Sequence, residues 1–326
     1  MRRSAVVPVA LFCLVAMPRA QELQPPGRIQ EPTPRVFRSS ASMVALNVTV
    51  TDGHKLITGL NRRDFAVYED GVQQEVRFFE SSNVPMDVIL LLDTSSSMRD
   101  RMPVVHEAAK SFMRILRPGD RGAIVAFSDN VRVIQDLTAD ASAIESAIGS
   151  TVAAGATALH NAIYVSLKQF GHTAHSDGEV RRQAIAVLSD GDDTSSLISF
   201  DDVVKAARRV GVSVYTISLR SEFAALRQKG RPAYFSQSDF AMKTLAKETG
   251  ARSFFPGTVQ ELQNVYAVIA GELEAQYSIA YSPTNSRPDG RFRRIVVRIT
   301  SDPSFTPRAR AGYTAESTRA SNEGLR

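Results

Sequence analysis

The sequence predicts a doubly wound α/β domain with a mainly parallel sheet, set as an insertion in a small β-sandwich. Three observations carry that prediction. Unbroken apolar runs such as Val88–Leu92 and Ile185–Leu188 read as strands covered by helices on both faces. Amphipathic segments lie between such runs, so strand and helix alternate from about residue 86 to residue 273. On either side of that stretch the apolar period falls to two, the mark of half-buried strands. Neither flank holds enough strands to stand alone, so the two are expected to pair with each other.

Residues 1–20 open with Arg2 and Arg3, followed by an apolar run from Ala5 to Met17 with small Ala16 and Ala20 near its end. The run is too short to span a bilayer and has the order of a secretory signal peptide, with a retained N-terminal anchor as the alternative. Cys13 follows Phe12 rather than a small residue, which argues against a lipid anchor. The expectation is an exported protein, periplasmic or secreted, with no transmembrane span after cleavage. Residues 21–40 carry Pro25, Pro26, Pro32 and Pro34 and read as a flexible linker. The N-terminal β flank, 41–85, begins with alternating Val44, Leu46, Val48 and Val50. A strand at Phe65–Tyr68, a hairpin turn at Asp70–Gly71 and a return strand at Val76–Phe79 complete it.

In the α/β region, 86–273, Pro103 opens a helix striped by Val105, Ala108, Phe112 and Ile115. Pro118–Gly119–Asp120 follows it, then strands Ala123–Phe127 and Val131–Leu137. Ile144, Ala147 and Ile148 mark a short helix, and Leu159, Ile163, Leu167 and Phe170 a longer one. After Ile185–Leu188, Ser199 and Asp202 form a capping box for a helix that Gly211 ends. Val212–Leu219 is a strand, Ser238 opens a helix ending at Gly250, and Arg252–Phe255 is a further strand. Leu262, Val265, Ile269 and Leu273 stripe the final helix. The C-terminal β flank, 274–314, holds Tyr277, Ile279 and Tyr281, the turn Asp289–Gly290, and the alternation around Ile295, Val297 and Ile299. Gly312–Tyr313 closes it, and residues 315–326 read as a disordered tail.

The chain has 326 residues, 43% apolar and 22% charged, which excludes collagen-like or low-complexity character. Its formal charge of +5 invites a polyanion-binding reading, but Arg2, Arg3 and Arg19 leave with the leader and bring it to +2. The pairs Arg62–Arg63, Arg181–Arg182, Arg208–Arg209 and Arg293–Arg294 are interleaved with acids and read as solvated faces, not a nucleic-acid stripe. With the single cysteine in the leader, an internal disulfide and a multi-cysteine metal site are excluded.

The chemistry gathers at two strand ends, where open α/β sheets bind their ligands. One strand runs into Asp93–Thr94–Ser95–Ser96–Ser97 and another into Ser189–Asp190–Gly191–Asp192–Asp193, while Thr157 starts a helix on the same face. Asp93, Ser95, Ser97, Thr157 and Asp190 offer two carboxylates and three hydroxyls, with no nitrogen or sulfur. Such hard oxygen donors suit Mg²⁺, with Mn²⁺ or Ca²⁺ acceptable and zinc disfavoured. A helix cap or anion-binding turn explains the Ser-rich loop alone, but not the placement of Thr157 and Asp190 with it. Asp192 and Asp193 read as solvated loop acids. His172 and His175 read as a surface loop at the far end of the sheet, and His160 as helix-surface packing near the site.

This pattern resembles the von Willebrand factor type A domain, a Rossmann-like fold, and its metal-ion-dependent adhesion site. Asp93, Ser95 and Ser97 match the motif Asp-x-Ser-x-Ser, with Thr157 and Asp190 as the later Thr and Asp. Val-Tyr-Glu-Asp-Gly at 67–71, Ala-Tyr-Ser-Pro at 280–283 and Asp289–Gly290–Arg291–Phe292 are similar to a bacterial exported subfamily. The resemblance implies metal-bridged binding of a protein partner that presents an exposed Asp or Glu. A structural subunit of an envelope complex, whose metal only stabilises the fold, is the alternative. A phosphate-ester hydrolase is a distant third, because Ser95 stands where such chemistry needs a second carboxylate as general acid.

The segment Arg220–Gln237 is long for a strand-to-helix connection and leaves the carboxyl end of a strand, on the metal face. Arg220, Arg227, Lys229 and Arg231 outnumber Glu222 in it, and Tyr234 is among its aromatic contacts. These residues are expected to read the partner and attract its acidic group, with a self-packed loop that caps the sheet as the alternative.

Overall fold

The N-terminal strands are β1 (Val44–Asp52), β2 (Lys55–Leu56), β3 (Phe65–Glu69), β4 (Val72–Gln74) and β5 (Val76–Glu80). The α/β region continues with β6 (Met86–Asp93), α1 (Met102–Met113), β7 (Arg121–Phe127), β8 (Val131–Thr138), α2 (Ala141–Gly149) and α3 (Leu159–Thr173). It ends with β9 (Arg182–Ser189), α4 (Phe200–Val210), β10 (Ser213–Ser218), α5 (Gln237–Glu248), β11 (Ser253–Phe254) and α6 (Leu262–Glu274). The chain returns through β12 (Tyr277–Tyr281), β13 (Phe292–Ile299), β14 (Thr306–Arg308) and β15 (Gly312–Thr314). This computed structural model describes residues 43–81, 84–173, 181–190, 192–219 and 236–315. The expected leader and linker, residues 316–326 of the expected tail, His175 and the segment 220–235 lie outside the described residues, while Ala315 is buried and His172, expected in a loop, falls in α3. Among the described residues no helix is long and apolar enough to cross a membrane.

The central sheet runs β11-β10-β9-β6-β7-β8, parallel except for the antiparallel edge strand β8. Its two faces are separated by strand alternation. Val88, Leu90 and Leu92 pack toward α1 and α6, where Phe112 stacks on Tyr266 at 4.8 Å, while Ile89 and Leu91 pack toward α3, α4 and α5. Both faces of β6 are buried throughout, which is why its sequence shows a run and no alternation.

The flanks pair across the inserted domain. β1 pairs antiparallel with β12, from Val44 opposite Tyr281 to Val48 opposite Tyr277, and β3 pairs with β13. One sheet runs β14-β1-β12-β5, with β2 on β1, and the other runs β15-β13-β3-β4. Leu46, Val48, Val67, Tyr277, Ile279 and Ile295 share one core between them.

Four expectations are corrected. The strand returning from the Asp70–Gly71 turn is β4; β5, expected in that place, crosses to the other sheet and pairs with β12. The turn itself holds, with both residues at positive φ, as a two-residue hairpin loop requires. α1 ends at Met113, before Ile115, which packs partly buried against the core. α5 starts at Gln237, one residue earlier than expected, because Ser236 and Asp239 form its capping box.

The fourth correction concerns the basic pairs. Arg182 is 6% exposed and donates to the carbonyls of Val84 (3.2 Å), Leu273 (2.9 Å) and Gln276 (3.5 Å), where the chain enters and leaves the inserted domain. Arg181 pairs with buried Asp87 at 2.9 Å, and buried Arg293 with Asp289 at 2.9 Å. Arg208 pairs with Glu248, also at 2.9 Å. Charge patterning along a chain carries no information about which carbonyls will need donors, so Arg181, Arg182 and Arg293 look solvated in the sequence and are not, whereas Arg62, Arg63, Arg209 and Arg294 are exposed as expected.

Candidate functional site

The strand order places a topological switch point at β6. The next strand in the chain, β7, lies on one side and β9 on the other, which opens a crevice beyond the carboxyl ends of β6 and β9. Asp93 is the last residue of β6, and Asp190 follows the last residue of β9.

Asp93 is fully buried, and each carboxylate oxygen has its own donor. Ser95 N–H donates to Oδ1 at 2.8 Å and Ser189 Oγ to Oδ2 at 2.6 Å. Burial pushes the Asp93 carboxyl above the ordinary carboxylate range, against the pull of its Ser189 and Ser95 hydrogen bonds. The nearby Asp190 charge adds to the rise. Ser95 Oγ and Ser97 Oγ lie 3.0 Å apart, and Ser97 Oγ donates to Asp190 Oδ1 at 2.7 Å. Four of the five predicted residues therefore form one hydrogen-bonded chain from β6 to the end of β9.

Thr157 reaches the same place through its backbone. Ser96 N–H donates to Gly155 O at 3.0 Å, Ala154 N–H to Thr94 O at 2.7 Å, and Thr194 N–H to Thr157 O at 2.9 Å. The 153–157 loop is thus tied to both strand-end loops, and Thr157 is buried between them. The set present is two carboxylates and three hydroxyls, a donor chemistry that fits a hard divalent cation.

Residues beyond the sequence reading complete the site. Arg101, at the end of the turn that follows the serines, pairs with Asp190 Oδ2 and neutralises it. Asp129 Oδ1 accepts from Ala156 N–H at 2.7 Å and so holds the Thr157 loop. Gly155 stands at φ +86°, where an added Cβ would lie 2.2 Å from Asp129 Oδ2. Gly155→Ala is accordingly expected to cost about 1–3 kcal/mol, read as a lowered melting temperature. Only Ser189, adjacent to the motif, carried a sequence signal; the others act through loop geometry.

Asp193 also departs from expectation. Its Oδ1 accepts from Leu159 N–H at 2.8 Å, at the start of α3, and its Oδ2 lies 3.2 Å from His160 Nδ1. His160 packs against Phe200 with ring centres 5.8 Å apart, as expected of helix-surface packing. Asp192 is exposed. Of the partner-reading residues, Arg220, Arg227, Lys229, Arg231 and Tyr234 lie outside the described residues. Their segment leaves β10 through Leu219, whose N–H donates to Ser189 O at 2.8 Å, next to Asp190.

Comparison with known proteins agrees with this architecture. The family model for the von Willebrand factor type A domain matches residues 87–267. A UPF0353 protein of Mycobacterium leprae is 27% identical over 256 residues, covering 74% of each chain. Among solved structures, a von Willebrand factor type A protein from Catenulispora acidiphila is 15% identical with a TM-score of 0.49. That match covers 86% of this chain and 65% of the other. Proximal thread matrix protein 1 from the mussel byssus, with a zinc-occupied MIDAS motif, matches at 15% identity and a TM-score of 0.45, covering 59% of this chain and 48% of its own.

Proposed function

Because the chain belongs to the von Willebrand factor type A domain family, we propose that it is an exported, non-catalytic protein-binding module acting through a divalent cation. Domains of this family commonly mediate protein–protein adhesion. In this reading Asp93, Ser95, Ser97, Thr157 and Asp190 hold the ion, and an Asp or Glu of the partner completes its coordination. The observation that carries it is the hydrogen-bonded chain Asp93–Ser95–Ser97–Asp190 across the β6/β9 crevice. Mg²⁺, Mn²⁺ or Ca²⁺ held by only two carboxylates stays electrophilic enough to accept a third from outside.

The chain's own residues support a binding metal over a structural one. Ser189, Ser97 and Arg101 already satisfy Asp93 and Asp190 by hydrogen bonds within the protein. The two carboxylates therefore keep partners when no cation is bound, and chelation is compatible with an intact fold. Zinc, present in the mussel protein's motif, is the competing ion to include in titrations, although an all-oxygen donor set favours harder ions.

Arg101 is a built-in competitor for the site. A cation that takes Asp190 Oδ2 must displace the guanidinium. Arg101→Met is therefore expected to raise Mg²⁺ affinity about tenfold, or about 1.4 kcal/mol, by isothermal titration calorimetry. Weaker binding in that variant would assign Arg101 to organising the site instead.

The segment bearing Arg220, Arg227, Lys229, Arg231 and Tyr234 is proposed to read the partner beside the ion. Deleting residues 227–234 is expected to abolish partner binding and leave the Mg²⁺ titration unchanged. Partner binding that survives the deletion rejects that role.

The function itself is tested by affinity capture from bacterial envelope extract in Mg²⁺ and in chelator. A protein retained in Mg²⁺ and released by chelator, with the melting temperature nearly level, supports the module. A steep fall in melting temperature on chelation, with no cation-dependent capture, assigns the metal to the fold.

A further inference from the structure

At the opposite end of the central sheet, a cleft of about 580 Å³ opens between α5, the start of β11, β13 and the crossing segment 307–311. Lys243, Lys247, Arg252, Arg294, Arg308 and Arg310 line it, and among the described residues no acid does. Arg252, at 3.0 Å, and Arg308 share the single buried carboxylate of Glu272, two guanidiniums to one charge. Arg310 lies over the Tyr313 ring at 5.6 Å. Its Nε is sealed from solvent with no hydrogen-bond partner, and among the described residues no carboxylate pairs with it. Lys247 and Arg294 are exposed and have no carboxylate partner among the described residues, so the cleft carries cationic charge that no acid in its lining offsets.

One wall of the cleft is a strand edge. Asp70 N–H donates to Arg294 O and Thr300 N–H to Asp64 O, each at 2.9 Å, so the even-numbered residues of β13 point their backbone groups at the β3 side. The odd-numbered residues point the other way, where Ala311 O takes the Ile295 N–H at 2.9 Å. Beyond that bond the chain crosses to the other sheet as β14, and among the described residues no strand pairs with Val297 or Ile299 on that edge. The consecutive residues 294–297 all line the cleft, as happens when an edge faces it. A free edge of this kind is a template for an added strand.

We propose that this cleft is a second docking site, which takes an extended acidic peptide segment of a protein partner as an added strand on β13. Val297 and, just beyond the cleft, Ile299 pair with its main chain, and the exposed Arg294 and Lys247 meet its carboxylates. A small anion leaves the strand edge unmatched, and an apolar peptide leaves the guanidiniums unpaired. The site needs no divalent cation, so it stands or falls separately from the β6/β9 crevice.

The test is fluorescence anisotropy of a fluorescein-labelled Asp-Val-Glu-Val-Asp-Val peptide on the full chain in chelator. Saturable binding is expected, weakened at least about tenfold by Lys247→Glu with Arg294→Glu, two exposed positions whose replacement leaves the core intact. Alternate N-methylation of the peptide is expected to weaken binding as much, and amide exchange at Val297 and Ile299 is expected to slow on binding. Absence of saturable binding overturns the proposal. Equal binding of the N-methylated peptide, or equal competition by sulfated dextran, overturns it too, since charge alone would then suffice.

Discussion

Asp93→Asn is expected to weaken Mg²⁺ binding by at least about a hundredfold, close to 3 kcal/mol, and to remove cation-dependent partner capture. The substitution keeps the shape of the side chain and one oxygen acceptor for Ser95 N–H or Ser189 Oγ, but deletes one of the two charges that would face the ion. Its effect on the fold runs the other way. Burial holds the Asp93 carboxyl above its ordinary range, so the charge is costly to the protein without a cation. The melting temperature in chelator is therefore expected to stay level or rise. Calorimetric titration paired with thermal melts separates the two effects, and unchanged Mg²⁺ affinity would remove Asp93 from the site.

The second large effect is on stability. Arg182→Met is expected to lower the unfolding free energy by about 3 kcal/mol, measured by urea denaturation. Methionine fills much of the aliphatic volume, so the loss reads as that of the guanidinium donors to Val84, Leu273 and Gln276. A buried carbonyl left without its donor costs about 1–3 kcal/mol. These carbonyls stand where the α/β region joins the sandwich, so the loss is expected in the cooperative transition of both parts. A change below about 0.5 kcal/mol would place the joining strength elsewhere.

Which features were legible in the sequence follows from how local their causes are. Asp93, Ser95, Ser97 and Asp190 were readable because strand ends are readable: an apolar run that stops at an acid locates the acid at the mouth of a parallel sheet. Thr157 needed only a helix start. The von Willebrand factor type A resemblance, carried by these residues, agrees with the family match over 87–267. Arg101 and Asp129 left no signal, since an arginine four residues past a serine loop and an acid in a turn are ordinary until the loops are folded together. The basic pairs misled for the converse reason. Arg181 and Arg182 are identified by buried acceptors that come from distant segments, such as Asp87 and the carbonyls of Val84 and Leu273. The crossing of β5 to the other sheet was likewise invisible, because β4 and β5 are separated by Glu75 alone and look like one strand.

Five oxygen-bearing residues are proposed to hold a divalent cation at the β6/β9 switch point. The most direct test is anomalous scattering from crystals of the protein grown with Mn²⁺. A single strong peak is expected within coordinating distance of Asp93, Ser95, Ser97, Thr157 and Asp190 oxygens, with Arg101 withdrawn from Asp190. A Mn²⁺ peak elsewhere on the protein, or an unmoved Arg101–Asp190 pair with no peak in the crevice, would contradict it.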